Sequence, residues 1–314
     1  MEVYMSVLLA MFSAVAQGML WAMLALGVYI TFRLLDFADL TCEGSFAMGA
    51  CISAVMTVTY HMNPFISLIF GFLGGAIAGT VTGLLNTKLK IPPILAGILS
   101  MISLYSINLR IMSDKANLPI NVREEGVESM VTLVQKLLPE SIRTMSQTTT
   151  VIAACIGVIF CVLSVAVLYW FFGTELGSAI RATGNNEKMI RALGVNTDHM
   201  KLVALALSNG FIALSGSLVA QNQKVADVGS GTGAIVIGLA SIVIGEVLFA
   251  KATSFKWRLT GIIVGSVVYR MIVAIVLQLG MRSSDLKLLT AILVAVALSV
   301  PRLLQVKNGK GARS

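Results

Sequence analysis

Residues 174–201 read TELGSAIRATGNNEKMIRALGVNTDHMK and form the longest polar, glycine-punctuated passage between two strongly apolar runs. Asn185 or Asn186 can cap a short helix within it, and Gly194 stands where a helix commonly ends in a left-handed turn. About two helical turns are marginal in water, so we expect its apolar face to pack against something else. That face consists of Met189, Ile190 and Leu193. The passage favours a cytoplasmic docking element, and the alternative is an ordinary loop between helices.

The composition of the chain is that of an integral membrane protein. Hydrophobic residues make up 57% of the 314 residues and charged residues only 12%, and the mean hydropathy is +0.88. A water-soluble domain of this length is far less apolar. The apolar runs are continuous rather than alternating, which favours membrane-spanning helices over a β-barrel. We therefore predict an all-α, polytopic transmembrane bundle in which residues 1–314 form a single domain.

The apolar segments predict about eight to ten membrane spans. Each is close to the roughly 20 residues that cross a bilayer as a helix. The segments lie near residues 5–31, 44–60, 64–87, 93–112, 149–171, 202–222, 232–250, 258–280 and 286–302. The first segment has no basic residues before it and no clear cleavage site, so we expect no cleaved signal peptide.

Basic residues orient the chain in the membrane. The net charge of +8 comes from residues at the ends of apolar runs rather than from one patch, which indicates topology and not nucleic-acid binding. A count of spans puts four basic clusters on one side, which the positive-inside rule makes the cytoplasm. The N-terminus then lies outside, residues 172–201 and the tail 303–314 lie inside, and 113–148 forms an extracellular loop. The count also requires a cytoplasmic connection or a chain break within the membrane at 32–43.

Two glycine-bearing segments resemble each other and predict an inverted internal repeat. They are 36–53, DFADLTCEGSFAMGACIS, and 225–242, VADVGSGTGAIVIGLASI. Beyond each lies a helix with a GxxxG pair, Gly75 with Gly79 and Gly261 with Gly265, and such small residues let helices approach closely. Glycine-interrupted segments at equivalent positions of inverted repeats indicate the substrate site of a transporter.

The extracellular loop 113–148 is predicted to carry an amphipathic helix on the outer surface. Acidic residues precede a run in which apolar residues recur at helical spacing. The acidic residues are Glu124, Glu125 and Glu128, and the apolar ones are Met130, Val131, Val134, Leu137 and Leu138. Two interpretations are equally open: a gate or landing surface for an external partner, and a helix that merely covers the bundle.

Polar residues of the two repeated segments and one arginine inside a span are the candidates for a substrate path. Charges inside spans are costly and usually face an aqueous path or a partner. Arg270 lies near the centre of its span, where it can meet a substrate carboxylate, an acidic residue of the repeat, or carbonyl groups of the bundle. The candidate path residues are Asp36, Asp39, Thr41, Glu43, Ser45, Asp227 and Arg270.

Signatures of catalysis and of nucleotide binding are missing from the sequence. The glycine-rich run 229–233, GSGTG, lacks the Lys and the Ser or Thr of a phosphate loop, and no GxSxG elbow occurs. His61 and His199 fall on opposite predicted sides, and the four cysteines have no CxxC spacing, so no metal site is indicated. We expect this chain to bind no cofactor of its own.

Residues 172–220 resemble the conserved core of ABC importer permeases of the branched-chain amino acid and ribose type. The matching positions are Thr174, Gly177, Ala179, Ile180, Arg181, Ala182, Gly184, Asn186, Leu193, Gly194 and Val195, then Lys201, Leu202, Ala204, Leu207, Ser208, Gly210, Ala213, Leu214, Gly216 and Leu218. The front segment QGMLWAMLALGVYITFRLLDF at 17–37 is similar to the opening span of the family. The resemblance covers 15–302.

The resemblance extends to one branch of that family. The best-known members carry an Asn-Phe-Ala-His-Gly-Glu run, where this chain has Asp36-Phe-Ala-Asp39 with Glu43 displaced. The runs DLTCEGSF at 39–46 and KANLPI at 115–120 are similar to the branch linked to uptake of aromatic amino acids, tryptophan or tyrosine. The substrate implied is therefore a small solute, an amino acid with an aromatic one favoured.

The resemblance implies a type II importer in a bacterial cell membrane, with this chain as its multi-pass permease subunit. Its partners would be a second copy of itself, a cytoplasmic ATP-binding subunit that holds ATP and Mg²⁺, and an extracellular substrate-binding protein. The stretch 174–201 would supply the coupling helices that seat on the ATPase. The residues implied are Glu175, Gly177, Arg181, Gly184, Asn186, Met189, Ile190, Leu193 and Gly194. Gly184 and Gly194 would break the stretch into rigid pieces.

Two other functions remain open at this stage. An ion-coupled secondary transporter could use Asp39, Glu43 and Arg270, because inverted repeats and membrane carboxylates are natural to that class as well. A membrane-embedded enzyme is the third, and the missing catalytic constellation disfavours it.

Overall fold

The protein is described here by a computed structural model, which describes residues 2–121, 126–139, 147–250 and 254–280, together with residues 285, 288, 290–292 and 295. The helices are α1 (Glu2–Tyr29), continued by a π-helical turn (Ile30–Leu34), α2 (Thr41–Val58), α3 (Pro64–Thr87), α4 (Pro93–Ile111), α5 (Met130–Lys136), α6 (Thr148–Gly173), α7 (Glu175–Asn185), α8 (Glu187–Ala192), α9 (Thr197–Gln223), α10 (Ala234–Leu248) and α11 (Phe255–Gln278). Two short strands, β1 (Asn117–Pro119) and β2 (Val225–Asp227), complete the described elements.

The all-α membrane bundle predicted from composition is confirmed. Within the described ranges, seven helices are long and apolar enough to cross a membrane. They include the first six predicted segments and 258–280, with α9 beginning five residues earlier than the predicted 202. The predicted segment 286–302 and the tail 303–314 lie largely or wholly outside the described residues.

The predicted span 232–250 is wrong in length. The helix there, α10, has 15 residues, which extend about 22 Å at 1.5 Å per residue and fall short of the roughly 30 Å hydrocarbon core. The preceding residues form a turn rather than helix, because Gly233 takes a left-handed conformation with φ +83°. The chain therefore breaks inside the bundle before α10.

The uncertain connection at 32–43 is a second break. The π-helical turn ends at Leu34, and a non-helical stretch follows until α2 begins at Thr41. The break is tied to the turn before it, because the Phe37 backbone N–H donates to Thr31 O at 2.9 Å. Each of the two repeated segments thus contains a break followed by a helix, as the glycine-interrupted pattern predicted.

Close packing of α3 on α9 forms the central seam of the bundle. A Cβ added at Gly75 would lie 2.2 Å from the Asn209 carbonyl oxygen, and one at Gly79 would lie 2.1 Å from the Leu205 carbonyl oxygen. In the second half, a Cβ at Gly265 would lie 2.1 Å from the carbonyl oxygen of Ser241 on α10. The expected role of these glycines, to let helices approach closely, is confirmed.

The segment after α4 adds a feature that the sequence did not predict. Strands β1 and β2 pair antiparallel, with Leu118 opposite Ala226. The predicted amphipathic helix is present as α5, capped by Ser129, whose side chain accepts from the Thr132 backbone N–H. Its inner face packs into the bundle, since Met130 is fully buried, while Leu137 at its end is 81% exposed. Glu124 and Glu125 lie outside the described residues.

Enlarging Gly75 tests the seam between α3 and α9. We expect Gly75→Leu to lower the stability of the purified protein by more than the roughly 1–3 kcal/mol typical of overpacking, because the added side chain meets backbone that cannot move away. Gly173→Ala is the matched control, since a Cβ there meets nothing within 4 Å. The measurement is the denaturation midpoint in detergent, and equal midpoints for both variants would contradict the proposed packing.

Candidate functional site

Asp39 provides a hydrogen-bond acceptor for the backbone N–H at the start of α2. Its side chain is fully buried, and one carboxylate oxygen accepts from the Thr41 backbone N–H at 2.9 Å. The other oxygen accepts from Asn209 Nδ2 at 2.7 Å. Ser45 completes the cluster by donating its hydroxyl to Asn209 Oδ1 at 2.7 Å. The buried acid is thus held by uncharged donors and by the first turn of a helix, whose dipole favours negative charge.

A second chain of hydrogen bonds starts at Thr41, the first residue of α2. The Thr41 hydroxyl lies 2.8 Å from the hydroxyl of Thr82 on α3, which donates to the Ser100 hydroxyl of α4 at 2.7 Å. All three residues are buried. Thr41 and Ser45 therefore belong to polar networks that join α2, α3, α4 and α9 rather than to a lining open to a solute.

Glu43 joins the two repeated segments to each other. Its carboxylate oxygen Oε1 accepts from the backbone N–H of Gly233 at 3.0 Å, and Gly233 is the residue that precedes α10. The contact is close along the backbone as well, because a Cβ at Gly231 would lie 1.9 Å from the Glu43 carbonyl oxygen. Backbone N–H groups at the start of a helix lack a partner within the helix and need another acceptor. Here the Glu43 carboxylate, from the first half of the chain, is the acceptor for the start of α10 in the second half.

A cavity of about 420 Å³ adjoins this contact. Its lining comes from α2, from α4 and from the turn before α10, and consists of Glu43, Gly44, Ala47, Met101, Ile102, Tyr105, Ser106, Asn108, Val228 and Thr232. Its volume lies within the range of small-molecule sites, about 300–1,000 Å³. This cavity, which lies beside the two chain breaks that Glu43 connects, is therefore the candidate path. Glu43 is the candidate path residue that lines it.

The structure does not bring Asp36 and Asp227 to the cavity wall. Asp36 is exposed and has a left-handed backbone, with φ +53°. Asp227 is exposed at the end of β2, where its side chain accepts from the Gly229 backbone N–H at 2.8 Å. Both are turn-forming acids, a role that asparagine and aspartate commonly take.

Arg270 lies against an aromatic ring instead of an acid. Within the described residues it makes no ion pair, although Asp39, Glu43 and Asp227 were possible partners from the sequence. Its guanidinium carbon is 4.0 Å from the centroid of the Trp21 ring, and Trp21 in turn packs on Phe46 with ring centroids 4.8 Å apart. This is a cation–π contact, which links α11 to α1 and α2.

The coupling region has the local structure that its sequence predicted. Asn186 caps α8, because its side chain accepts from the Met189 backbone N–H at 3.1 Å. Gly194 ends that turn with φ +86°. Thr174 caps α7 by accepting from the Gly177 backbone N–H at 3.3 Å, with Glu175 as the first helical residue.

Gly184 does not break the region, contrary to the prediction. It lies inside α7, and the break falls at Asn186. Gly184 instead sits against the end of the first span, where an added Cβ would lie 2.1 Å from the Leu34 carbonyl oxygen. Arg181 also holds α7 to the bundle: its Nη2 donates to the Phe172 carbonyl at 2.9 Å, and its guanidinium lies 5.5 Å from the Phe255 ring centroid.

Charged side chains brace α8 against the start of α9. Lys201 Nζ donates to Glu187 Oε2 at 2.8 Å, and Arg191 pairs with both Glu187 at 3.0 Å and Asp198 at 3.1 Å. The hydrogen bond from Lys201 lowers the pKa of Glu187 below its ordinary value, although burial opposes the shift. The bracing is therefore present at neutral pH and is lost only as the pH falls through that lowered pKa.

The three apolar residues of α8 and its end face in different directions. Ile190 is 7% exposed and packs into the protein, whereas Met189 is 51% and Leu193 is 71% exposed. Ile190 therefore anchors α8. Met189 and Leu193 are the apolar side chains that the helix presents on the side assigned to the cytoplasm.

Two asparagines of the site were missed by the sequence reasoning. Asn209 and Asn108 are both fully buried, and both interrupt apolar spans. That interruption was a usable signal, because polar side chains inside membrane helices usually have a partner or a function.

Comparison with known families identifies the family to which the chain belongs. The family model described as "Branched-chain amino acid transport system / permease component" matches residues 10–298. The chain belongs to this family. It is a permease component of a type II ABC importer and a multi-pass protein of the bacterial inner membrane, and it is not a catalytic enzyme. An importer of this class also contains an ATP-binding subunit and a substrate-binding protein.

Similar proteins include permeases with different substrates in their names. The chain is 40% identical over 291 residues to a "Tyrosine transport system permease protein" of Clostridioides difficile, covering 93% of this chain and 91% of that protein. It is 22% identical over 290 residues to the "Ribose import permease protein RbsC" of Escherichia coli, covering 92% and 84%. A solved structure of PsaBC from Streptococcus pneumoniae in complex with Fab has 14% identity and a TM-score of 0.32 over 84% of this chain and 88% of that chain, too low to bear on the fold.

Removing the Asn209 amide tests the network around Asp39. We expect Asn209→Ala to cost about 1–3 kcal/mol of stability, because the carboxylate loses a donor and the Ser45 hydroxyl loses its acceptor in a buried site. Asn185→Ala, at an exposed position at the end of α7, is the control. The readout is the free energy of unfolding in mixed micelles. A loss no larger for Asn209→Ala than for Asn185→Ala would show that the network adds no stability.

Proposed function

We propose that the protein forms the translocation path for an amino acid, with an aromatic amino acid favoured, and that uptake is driven by ATP hydrolysis on a separate subunit. The name of the 40% identical Clostridioides difficile relative supports an aromatic substrate. The cavity beside Glu43 supports a path of small-molecule size. ATP and Mg²⁺ would be held by the partner ATPase, and this chain would bind no cofactor.

The main support for the ATP-driven proposal is the pair of exposed apolar side chains on α8 and at its end. Met189 lies on a helix of six residues, and Leu193 directly follows it; such a helix is too short to be stable alone. Ile190 and the ion pairs of Glu187 and Arg191 nevertheless hold that helix rigidly on the bundle. A braced helix that leaves apolar side chains outside the protein is suited to transmit force from a partner.

The remaining residues of the coupling region have supporting roles in this proposal. Arg181 and Gly184 fasten α7 to the ends of the fifth span, α6, and of the first span. Motion received by α8 would therefore pass to α1 and α6 through α7. We also propose that two copies of the chain assemble around the path, because a single permease of this kind would pair with itself.

Introducing negative charge at Met189 and Leu193 tests whether these side chains bind the ATPase. We expect the double variant Met189→Asp, Leu193→Asp to weaken binding of the ATPase about 30-fold or more, as for loss of a central apolar contact, while the protein stays folded because both side chains are exposed. Leu137→Asp is the control, since Leu137 is at least as exposed and lies at the end of α5, outside residues 174–201. Binding is measured by titrating the purified ATPase. Unchanged affinity of the double variant would remove α8 from the interface.

ATP dependence of uptake separates the proposal from an ion-coupled transporter. We expect uptake of L-tyrosine into proteoliposomes that contain the complete transporter to stop when the ATPase is made catalytically inactive, because the sequence shows no phosphate-loop motif and ATP would act on the partner subunit. The control is the same preparation with an ion gradient imposed and no ATP. Uptake that follows the gradient and ignores the inactive ATPase would favour the secondary transporter.

A further inference from the structure

The cavity beside Glu43 contains an acceptor without a donor. Asn108 is fully buried on α4 and lines this cavity. Its amide nitrogen donates to the Gly44 carbonyl at 3.3 Å, and its oxygen Oδ1 has no hydrogen-bond partner among the residues that the structure describes. Exchanging the two ends of the amide would set an oxygen against the Gly44 carbonyl oxygen, so the present orientation is the favourable one. An unpaired buried acceptor is costly, and it indicates a donor supplied by a ligand.

The charge of the cavity lining specifies the kind of donor. Glu43 is the ionisable acid on the lining, and no lysine, arginine or histidine is among the lining residues that the structure describes. The nearby start of α10 does not attract a second anion, because Glu43 already accepts from the backbone N–H of Gly233 there. The lining therefore carries an amide oxygen and a carboxylate, two acceptors that suit a cation with N–H groups.

The rest of the lining specifies the body of the ligand. Met101, Ile102 and Val228 provide an apolar wall, and Tyr105 adds an aromatic ring. The hydroxyl groups of Ser106 and Thr232 belong to exposed residues on the same lining. Asn108 is buried whereas Ser106 and Thr232 are exposed, so the lining offers acceptors for the ammonium of an amino acid and separate hydroxyl donors for its carboxylate.

We propose that this cavity is a binding site for a primary ammonium group, with Asn108 Oδ1 and the Glu43 carboxylate as acceptors and the apolar wall against the side chain of the ligand. The inference rests on the proposed amino-acid transport and adds that the permease itself, and not only its binding protein, recognises the amino group. Asn108 is a specificity residue in this scheme, and Glu43 both binds the cation and joins the two breaks.

Three compounds that differ in their charged groups test the inference on the purified full-length protein in lipid nanodiscs, without binding protein or ATPase. The probes are L-tyrosine, tyramine, which lacks the carboxylate, and 3-(4-hydroxyphenyl)propionate, which lacks the amine. We expect the first two to bind, as measured by calorimetry and by the rise in denaturation temperature, and the third to bind at least about tenfold more weakly. Equal binding of the propionate, or no binding of either amine, overturns the inference.

Substitution of Asn108 assigns the binding to this cavity. We expect Asn108→Leu to weaken tyramine binding at least about tenfold while leaving the denaturation temperature of the ligand-free protein unchanged or higher, because it removes an unpaired polar atom from an apolar setting. A merely structural asparagine would give the opposite pattern. Ser103→Ala, exposed on the same helix, is the control and should bind tyramine normally. Normal binding by Asn108→Leu sinks the assignment.

Glu43 provides a second and independent variant. Glu43→Gln keeps an acceptor for the Gly233 backbone N–H but loses the negative charge, so it should fold and bind tyramine more weakly. A folded Glu43→Gln that binds tyramine normally counts against the charge argument. The proposed function fails on a different result: if the complete transporter does not take up L-tyrosine with ATP, that proposal is overturned even where the cavity still distinguishes the amines from the propionate.

Discussion

The hydrogen bond from the Gly233 backbone to the Glu43 carboxylate holds the two halves of the chain together at their weakest points. Breaking a helix within a bilayer exposes backbone groups that lipid cannot satisfy, and each unsatisfied group costs several kcal/mol. Here the start of α2 is satisfied by Asp39 and the start of α10 by Glu43. Because the second acceptor comes from the other half, the break before α10 depends on the segment that follows the first break. The cavity lies beside this contact, and Glu43 is part of its lining.

The sequence was sufficient to predict the membrane bundle and much of the local structure of residues 174–201. Long apolar runs determine membrane helices because lipid leaves the backbone little alternative, and caps such as Asn186 and Gly194 act within a few residues of where they stand. The short length of α10, 15 residues, was not predictable from hydropathy, since its residues are as apolar as those of a full span. Its start is set by a turn that packs against Glu43, a contact between residues 190 positions apart.

The candidate site shows the same division between local and distant effects. Asp39, Thr41, Glu43 and Ser45 were found because one short polar run contains them all, and the structure keeps them near one another on or before α2. Asp36 and Asp227 were chosen by the same rule, yet they serve turns. Arg270 could not be assigned from sequence because its neighbour Trp21 lies on a distant helix. Gly184 was wrongly predicted to break the stretch 174–201. Its role comes from close contact with Leu34, which is equally distant in the sequence.

The pairing of β1 with β2 restricts how the molecule can move. The two strands belong to different halves of the chain and share backbone hydrogen bonds, while α3 and α9 are in backbone contact through the middle of the bundle. A rocking of one half away from the other would have to break this ribbon and separate that seam. If two copies form the path, as proposed, opening takes place at the boundary between them, and each copy moves as one rigid wall.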